Sequence, residues 1–295
     1  MKKIVKIIFG ISTLFFSLSF VSNANALDIV FAEDRPDLRT LDPRITQSRH
    51  EEMLIVNMFD QLISADSEGN LYPGLANSWD VSSDGLEYTF KLRNDVTFHD
   101  GTKFNAAAVK ATFDSIVDPE TGSQGAVDIL GPYKETVIVD DSTAKVVFER
   151  RYGSALTAFT ETELSIVSPT ALSELGNDGF GMAPVGTGPF MFKNWEANKK
   201  VELVRNPDYN WAPEYMDGSG PSQVANLTYR LIKDTSTRVA ALEAGEIDIA
   251  ELVPPLDMNR FDSTGDLATV AGTVSGLPYA AFLNTTVGVF QDIKV

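Results

Sequence analysis

LYPGLANSWDVSSDGLEYTFKLRNDVTFHDGTKFNAAAVKATF, residues 71–113, sets a turn, a strand, a hairpin, a cap and a helix end to end. Leu86, Tyr88, Phe90 and Leu92 alternate with Glu87, Thr89 and Lys91, the period of a half-buried antiparallel strand. Asp84-Gly85 before it is a turn dipeptide, and His99-Asp100-Gly101 closes a second strand carrying Val96 and Phe98. His99 is expected to be a solvated turn residue, with a ligand or base as the alternative. Asn105 is placed to cap a helix that buries Val109, Phe113, Ile116 and Val117 and stops at Asp118-Pro119. No motif for bond-making chemistry lies in this stretch.

Outward from it, Leu27 to Ala32 reads as a short buried strand, followed by a loop, Glu33 to Pro43, that two prolines keep out of a helix. Leu54, Ile55, Met58, Phe59 and Leu62 recur at helical spacing and predict a helix over 51–63. Thr136 to Val139 and Ala144 to Glu149 form a hairpin around Asp140-Asp141-Ser142, and Ser168-Pro169 starts a helix that Gly176 ends. The second half changes rhythm: strand Leu227–Ile232, helix Ser236–Ala244 and strand Ile247–Val253 predict a parallel pair with a crossover. An antiparallel, hairpin-rich segment is therefore inserted into an α/β layer.

The first 26 residues have the form of a cleaved secretory signal: Lys2, Lys3 and Lys6, an apolar run from Ile7 to Val21, then Ala24-Asn25-Ala26. The run is too short for the ~20 apolar residues of a membrane span. This segment holds three of the 24 basic residues and none of the 41 acidic ones, taking the net charge from −17 to −20. Such a chain repels phosphate backbones and anionic headgroups, which argues against nucleic acid and membrane surface as partners. The absence of cysteine means that the fold must rest on its core and that the signal cleavage site offers no lipid acceptor, so no direct membrane anchor is expected. His50 and His99, the two histidines, stand in no metal-ligand spacing, and no G-x-S-x-G elbow occurs; no catalytic residue, metal ligand or cofactor is assigned.

Ordered blocks along the chain carry a resemblance. They are Thr40-Leu41-Asp42-Pro43; Pro73-Gly74-Leu75-Ala76 with Ser78-Trp79; Asp84-Gly85 through Leu92-Arg93; and Val96 through Gly101. Then come Val185-Gly186-Thr187-Gly188-Pro189-Phe190; Arg205-Asn206-Pro207-Asp208-Tyr209; Leu242-Glu243-Ala244-Gly245-Glu246-Ile247-Asp248; and Phe282-Leu283-Asn284-Thr285. In this the chain resembles the family 5 extracytoplasmic solute-binding proteins, the oligopeptide, dipeptide, glutathione and nickel class that serves ABC importers. Asn210 between Tyr209 and Trp211 departs from the family wording.

The resemblance implies a type II periplasmic-binding-protein fold of two lobes and a division of the chain. Residues 1–26 are the signal; 27–70 and 183–273 form the α/β core of lobe I; 71–182 are its inserted antiparallel subdomain; 274–295 begin lobe II. Family members run on well past Val295, so the sequence is expected to be C-terminally truncated and to bind weakly by itself. The implied role is a monomeric periplasmic binder of a short peptide, delivered to ABC permease subunits. A nickel chelate is the alternative ligand, and a secreted hydrolase on a two-lobed scaffold the alternative function.

Ligands of α/β sheets collect beyond strand carboxyl ends, which makes Arg35, Asp37, Arg39 and Thr40 cleft candidates. An arginine suits a ligand carboxylate and Asp37 an ammonium; a solvated charged loop is the other reading. Thr187 and Gly188 are the remaining candidates. There glycine serves either a sharp turn before Pro189 or a wall that a ligand approaches closely. Trp79 and Tyr88 read as core aromatics.

Overall fold

A computed structural model describes residues 27–34, 38–216, 218, 220–265 and 267–270. The signal segment 1–26, Arg35, Asp37 and the expected start of a second lobe at 274–295 lie outside the described residues. The chain divides into two units, Met1–Leu252 and Val253–Val295. The first unit runs β1 (Leu27–Glu33), α1 (Arg49–Ile55), β2 (Ile63–Ala65), β3 (Leu71–Pro73), β4 (Ala76–Val81), β5 (Glu87–Leu92), α2 (Ala106–Val117), α3 (Gly125–Leu130), β6 (Tyr133–Asp140) and β7 (Thr143–Phe148). It continues with α4 (Ala155–Ala158), α5 (Pro169–Met182), β8 (Phe190–Glu196), β9 (Lys200–Arg205), β10 (Val224–Leu231), α6 (Thr235–Glu243) and β11 (Ile249–Ala250). The second unit contributes α7 (Pro255–Thr264).

One five-stranded sheet has the order β11-β1-β10-β9-β8. β1 pairs in parallel with both β10 and β11, whereas β8, β9 and β10 form an antiparallel meander. The expected parallel pair of β10 and β11 is thus corrected: β1, the apolar LDIVFA run, sits between them. Helix α6 carries the chain across. Asp234 caps it, accepting from the Thr237 amide at 2.8 Å, and Gly245 leaves it at φ 69°. Such a cap is worth about 1 kcal/mol.

The inserted sheet has the order β4-β5-β7-β6. Tyr88, Phe90 and Leu92 are buried, as the alternation requires. Helix α2 covers the sheet with Val109, Phe113 and Ile116; Phe159 stands edge-on to Phe90 at 5.0 Å and stacks on Phe113 at 5.8 Å. Asn105 caps α2 by accepting from the Ala108 amide at 3.1 Å. Val117, expected in the core, is 40 % exposed, because the helix ends on it and the backbone at Asp118 is extended. Val96 and Phe98 are buried but lie on no strand; the hairpin reduces to one bridge between Thr97 and Lys103. At Gly176 (φ 68°, ψ 177°) the first helical segment of α5 ends as expected, and a second continues to Met182.

The largest departure is at α1, which ends at Ile55 and not at Ile63. The carbonyls of Asn57 and Met58, which a longer helix would use internally, instead accept from the amides of Phe190 and Gly188 at 2.9 Å each. Met58, Phe59 and Leu62 are buried all the same. The helical spacing marks the buried side chains, but the main-chain bonds go to another segment.

Candidate functional site

The carboxyl ends of β1 and β11 emerge together. Phe31 pairs with Ile249 and Ala32 with Ala250, so Glu33, Asp34 and Glu251 leave the sheet side by side, where α/β folds gather ligands. His50, on the first turn of α1, brings its Nδ1 to 3.9 Å from Glu33 Oε2. One ligand atom each from Asp34, His50 and Glu251 lies within 4.8 Å of the others. Glu33 is fully buried, and among the described residues neither of its oxygens has a hydrogen-bond partner; Asp34 Oδ1, His50 Nδ1 and Glu251 Oε2 are likewise buried atoms with no hydrogen-bond partner there. Burial, reinforced by the charges of Glu251 and Asp34, pushes the Glu33 carboxyl up to about 8.

Buried Arg238 fixes the Glu251 main chain. Its Nε donates to the Glu251 carbonyl at 2.9 Å and its Nη1 to the Ile232 carbonyl at 2.7 Å. These donors go to carbonyls and leave the neighbouring carboxylates to find another partner.

Of the sequence candidates on the loop after β1, Arg39 and Thr40 are among the described residues. The Arg39 side chain is 69 % exposed, while its main-chain amide donates to Glu51 Oε1 at 2.8 Å. Thr40 is buried; its amide donates to the same oxygen at 3.4 Å and its hydroxyl accepts from the Asp42 amide at 3.1 Å. Deeper in the loop, Arg44 donates to both oxygens of Asp42, at 3.1 and 2.6 Å, with both side chains fully buried. Phe180 lies under the guanidinium at 5.5 Å. The loop is therefore braced from below and presents Arg39 at its surface.

Thr187 and Gly188 sit elsewhere. Thr187 is fully buried and donates to Asp60 Oδ2 at 2.7 Å. A Cβ on Gly186 would lie 2.1 Å from the Met58 oxygen, and one on Gly188 2.5 Å from the Met58 carbonyl carbon. In this unit the two glycines serve a close approach of main chain to main chain. Arg39 and Thr40 bond to Glu51 at the start of α1, and Thr187 and Gly188 bond to residues beyond its end. The part of α1 from Glu51 to Ile55, roughly 6 Å of helix at about 1.5 Å per residue, and the chain after it separate the two sets.

Asp60 also accepts from Tyr209 at 3.1 Å and from Trp211 Nε1 at 3.0 Å. Burial raises its carboxyl above the usual range although the three donors pull the other way. It forms the floor of a cavity of about 470 Å³, walled by Phe59, Gln61, Tyr209, Tyr215 and Met216. Nor is His99 solvated, as expected for its turn: its Nε2 lies 3.0 Å from the Gly188 oxygen, and its Nδ1 is buried with no hydrogen-bond partner among the described residues. The turn folds back onto the glycine segment, and its hydrophilic wording concealed that packing.

Sequence reasoning missed Glu33, Asp34, His50 and Glu251 as a group. His50 and Glu251 are two hundred residues apart, so no spacing motif joins them. The usable signal was the strand-end rule applied to the strand holding Glu251 as well as to β1.

Residues 70–295 match the sequence model of the bacterial extracellular solute-binding proteins, family 5 middle region. The glutathione-binding protein GsiB of Shigella flexneri is 31% identical over 270 residues, covering 92% of this chain and 51% of that protein. Among solved structures, the periplasmic binding protein DppA of Helicobacter pylori, in complex with the peptide STSA, superposes with a TM-score of 0.68 at 28% identity, over 81% of this chain and 48% of that one. NikZ of Campylobacter jejuni, in complex with Ni(L-His), gives a TM-score of 0.68 at 29% identity over 80% and 45%. The chain spans about half the length of the curated relatives it matches.

Proposed function

The chain belongs to the bacterial extracellular solute-binding proteins, family 5, and from that premise we propose that it is the first lobe of the substrate-binding component of an ABC importer. In this reading the protein is exported to the periplasm, holds a short peptide (a dipeptide, an oligopeptide or glutathione) between two lobes, and hands it to the membrane permease. It makes and breaks no bonds. Among the described residues no helix is long and apolar enough to cross a membrane.

The observation that carries the reading is the braced loop at the carboxyl end of β1, with an exposed arginine above a buried frame. Arg39, with Arg35 and Asp37 on the same loop, is proposed to meet the charged termini of a peptide, and Thr40 to hold the loop's main chain in place. Thr187 and Gly188 are proposed to shape the cleft wall through the backbone. A peptide offers exactly the two charges and the main-chain donors that such a loop can satisfy. The nickel-chelate alternative rests on the likeness to NikZ.

Calorimetry of the chain against glutathione, a set of dipeptides and nickel–histidine separates these ligands. A response to the peptides, reduced in R39A, is the expected result. Turnover of peptide or ester substrates would overturn the binding reading in favour of a hydrolase.

A further inference from the structure

We propose that Asp34, His50 and Glu251 form a divalent-metal site at the carboxyl ends of β1 and β11, with the buried carboxylate of Glu33 beside it. Three observations converge. The ligand atoms lie within 4.8 Å of one another. Each residue contributes a buried atom with no hydrogen-bond partner among the described residues. Glu33, fully buried, turns Oε2 to 3.9 Å from His50 Nδ1 and has no hydrogen-bond partner on either oxygen among the described residues. An unsatisfied buried polar atom destabilises a fold, and a charged one more so. A sheet end that leaves so many together is arranged for a cation.

The donor set decides which kind. A neutral imidazole nitrogen with carboxylate oxygens suits zinc, nickel or cobalt better than calcium or magnesium, which take oxygen alone. Ligand bonds of about 2.1 Å place two donors of a tetrahedral ion roughly 3.4 Å apart. Atoms within 4.8 Å reach that spacing by side-chain movement of about 1 Å. Arg238 supports the arrangement from outside by clamping the Glu251 carbonyl, as a metal site requires of its surroundings. The inference stands apart from which solute is carried, because the metal is held by this chain alone.

The chain's two histidines make the test direct. In imidazole NMR of the full chain stripped with a chelator, zinc is expected to shift the ring signals of His50 and leave those of His99, packed against Gly188, in place. Calorimetry with zinc is expected to show at least about tenfold weaker binding for H50A and for E251Q, with melting temperatures near that of the parent. Unmoved His50 signals at millimolar zinc would overturn the proposal, as would zinc binding undiminished in both variants. A dipeptide amine that shifts His50 where zinc does not would also overturn it. Glutathione and dipeptide titrations of the stripped protein report on the solute reading separately, so either can fail without the other.

Discussion

His99 Nε2 and the main-chain oxygen of Gly188 lie 3.0 Å apart, joining the turn after β5 to the turn before β8. A carbonyl only accepts, so Nε2 carries the proton and Nδ1 keeps a bare lone pair, buried with no hydrogen-bond partner among the described residues. Asn206 Nδ2 donates to the same oxygen at 3.1 Å, and the His99 amide donates to the Gly186 oxygen at 2.9 Å.

Burial depresses the imidazole from 6.5 to about 4. The unfolded chain then takes up the proton first, so His99 contributes its full stability above pH ~6.5 and loses it progressively as pH falls towards 4. The shift corresponds to roughly 3 kcal/mol at the acid end. Urea unfolding at pH 7, 5.5 and 4.5 is expected to show a steeper decline for the parent than for H99Q, which is weaker at neutral pH. Parallel declines would remove His99 as the cause.

The glycine turn makes a second prediction. G186A and G188A each place a methyl against the Met58 main chain, at 2.1 and 2.5 Å, where nothing flexible can yield. Overpacking of this kind costs about 1–3 kcal/mol, and main-chain contacts push it to the upper end or beyond. G153A meets nothing within 4 Å and serves as the control. Thermal melts in which all three variants match the parent would contradict the packing described.

Asp60 supports a third. Three donors, from Thr187, Tyr209 and Trp211, converge on its half-buried carboxylate. D60A strands all three, and at about 1–3 kcal/mol for each stranded donor a loss of at least about 3 kcal/mol is expected. T187V removes one donor and is expected to lose about 1 kcal/mol. Because the two share a bond, denaturation of T187V/D60A should show less than the sum of the single losses. Additive losses would mean that the network is not coupled.

How far the sequence reaches is visible at particular residues. The period-2 alternation of Tyr88, Phe90 and Leu92 reports one face buried and one open, and that survives in the sheet. So does the cap at Asn105, whose chemistry is local. What escaped was long-range. Nothing near Asn57 and Met58 says that their carbonyls will bond Phe190 and Gly188 and so end α1 early. Nothing near His99 says that Gly188 will cover it. β1 becomes an interior strand of its sheet because two distant strands, β10 and β11, pair with its two edges. The candidate site follows the same rule: the loop after β1 was legible from the strand before it, whereas His50 and Glu251 join it only through the topology.

The fourth prediction concerns the frame under that loop. Arg44 and Asp42 form a bidentate pair with both side chains fully buried, and Arg44 also donates to Ser115 at 3.1 Å and to Asn177 at 3.2 Å. In so dry a place removing one partner leaves the other charged and uncompensated, a loss of about 3–5 kcal/mol. Replacing both charges removes the stranded ion, so much of that loss returns. R44M is therefore expected to melt well below the parent, and D42N/R44M to recover a large part of the difference. The bridge fixes the chain between the exposed Arg39 and helix α1, so the two variants also separate folding from loop placement. If D42N/R44M regains the melting temperature yet binds peptide less well than the parent, the pair positions the loop as well as stabilising it. A double variant no more stable than R44M would show that the charge pair is not what holds this segment down.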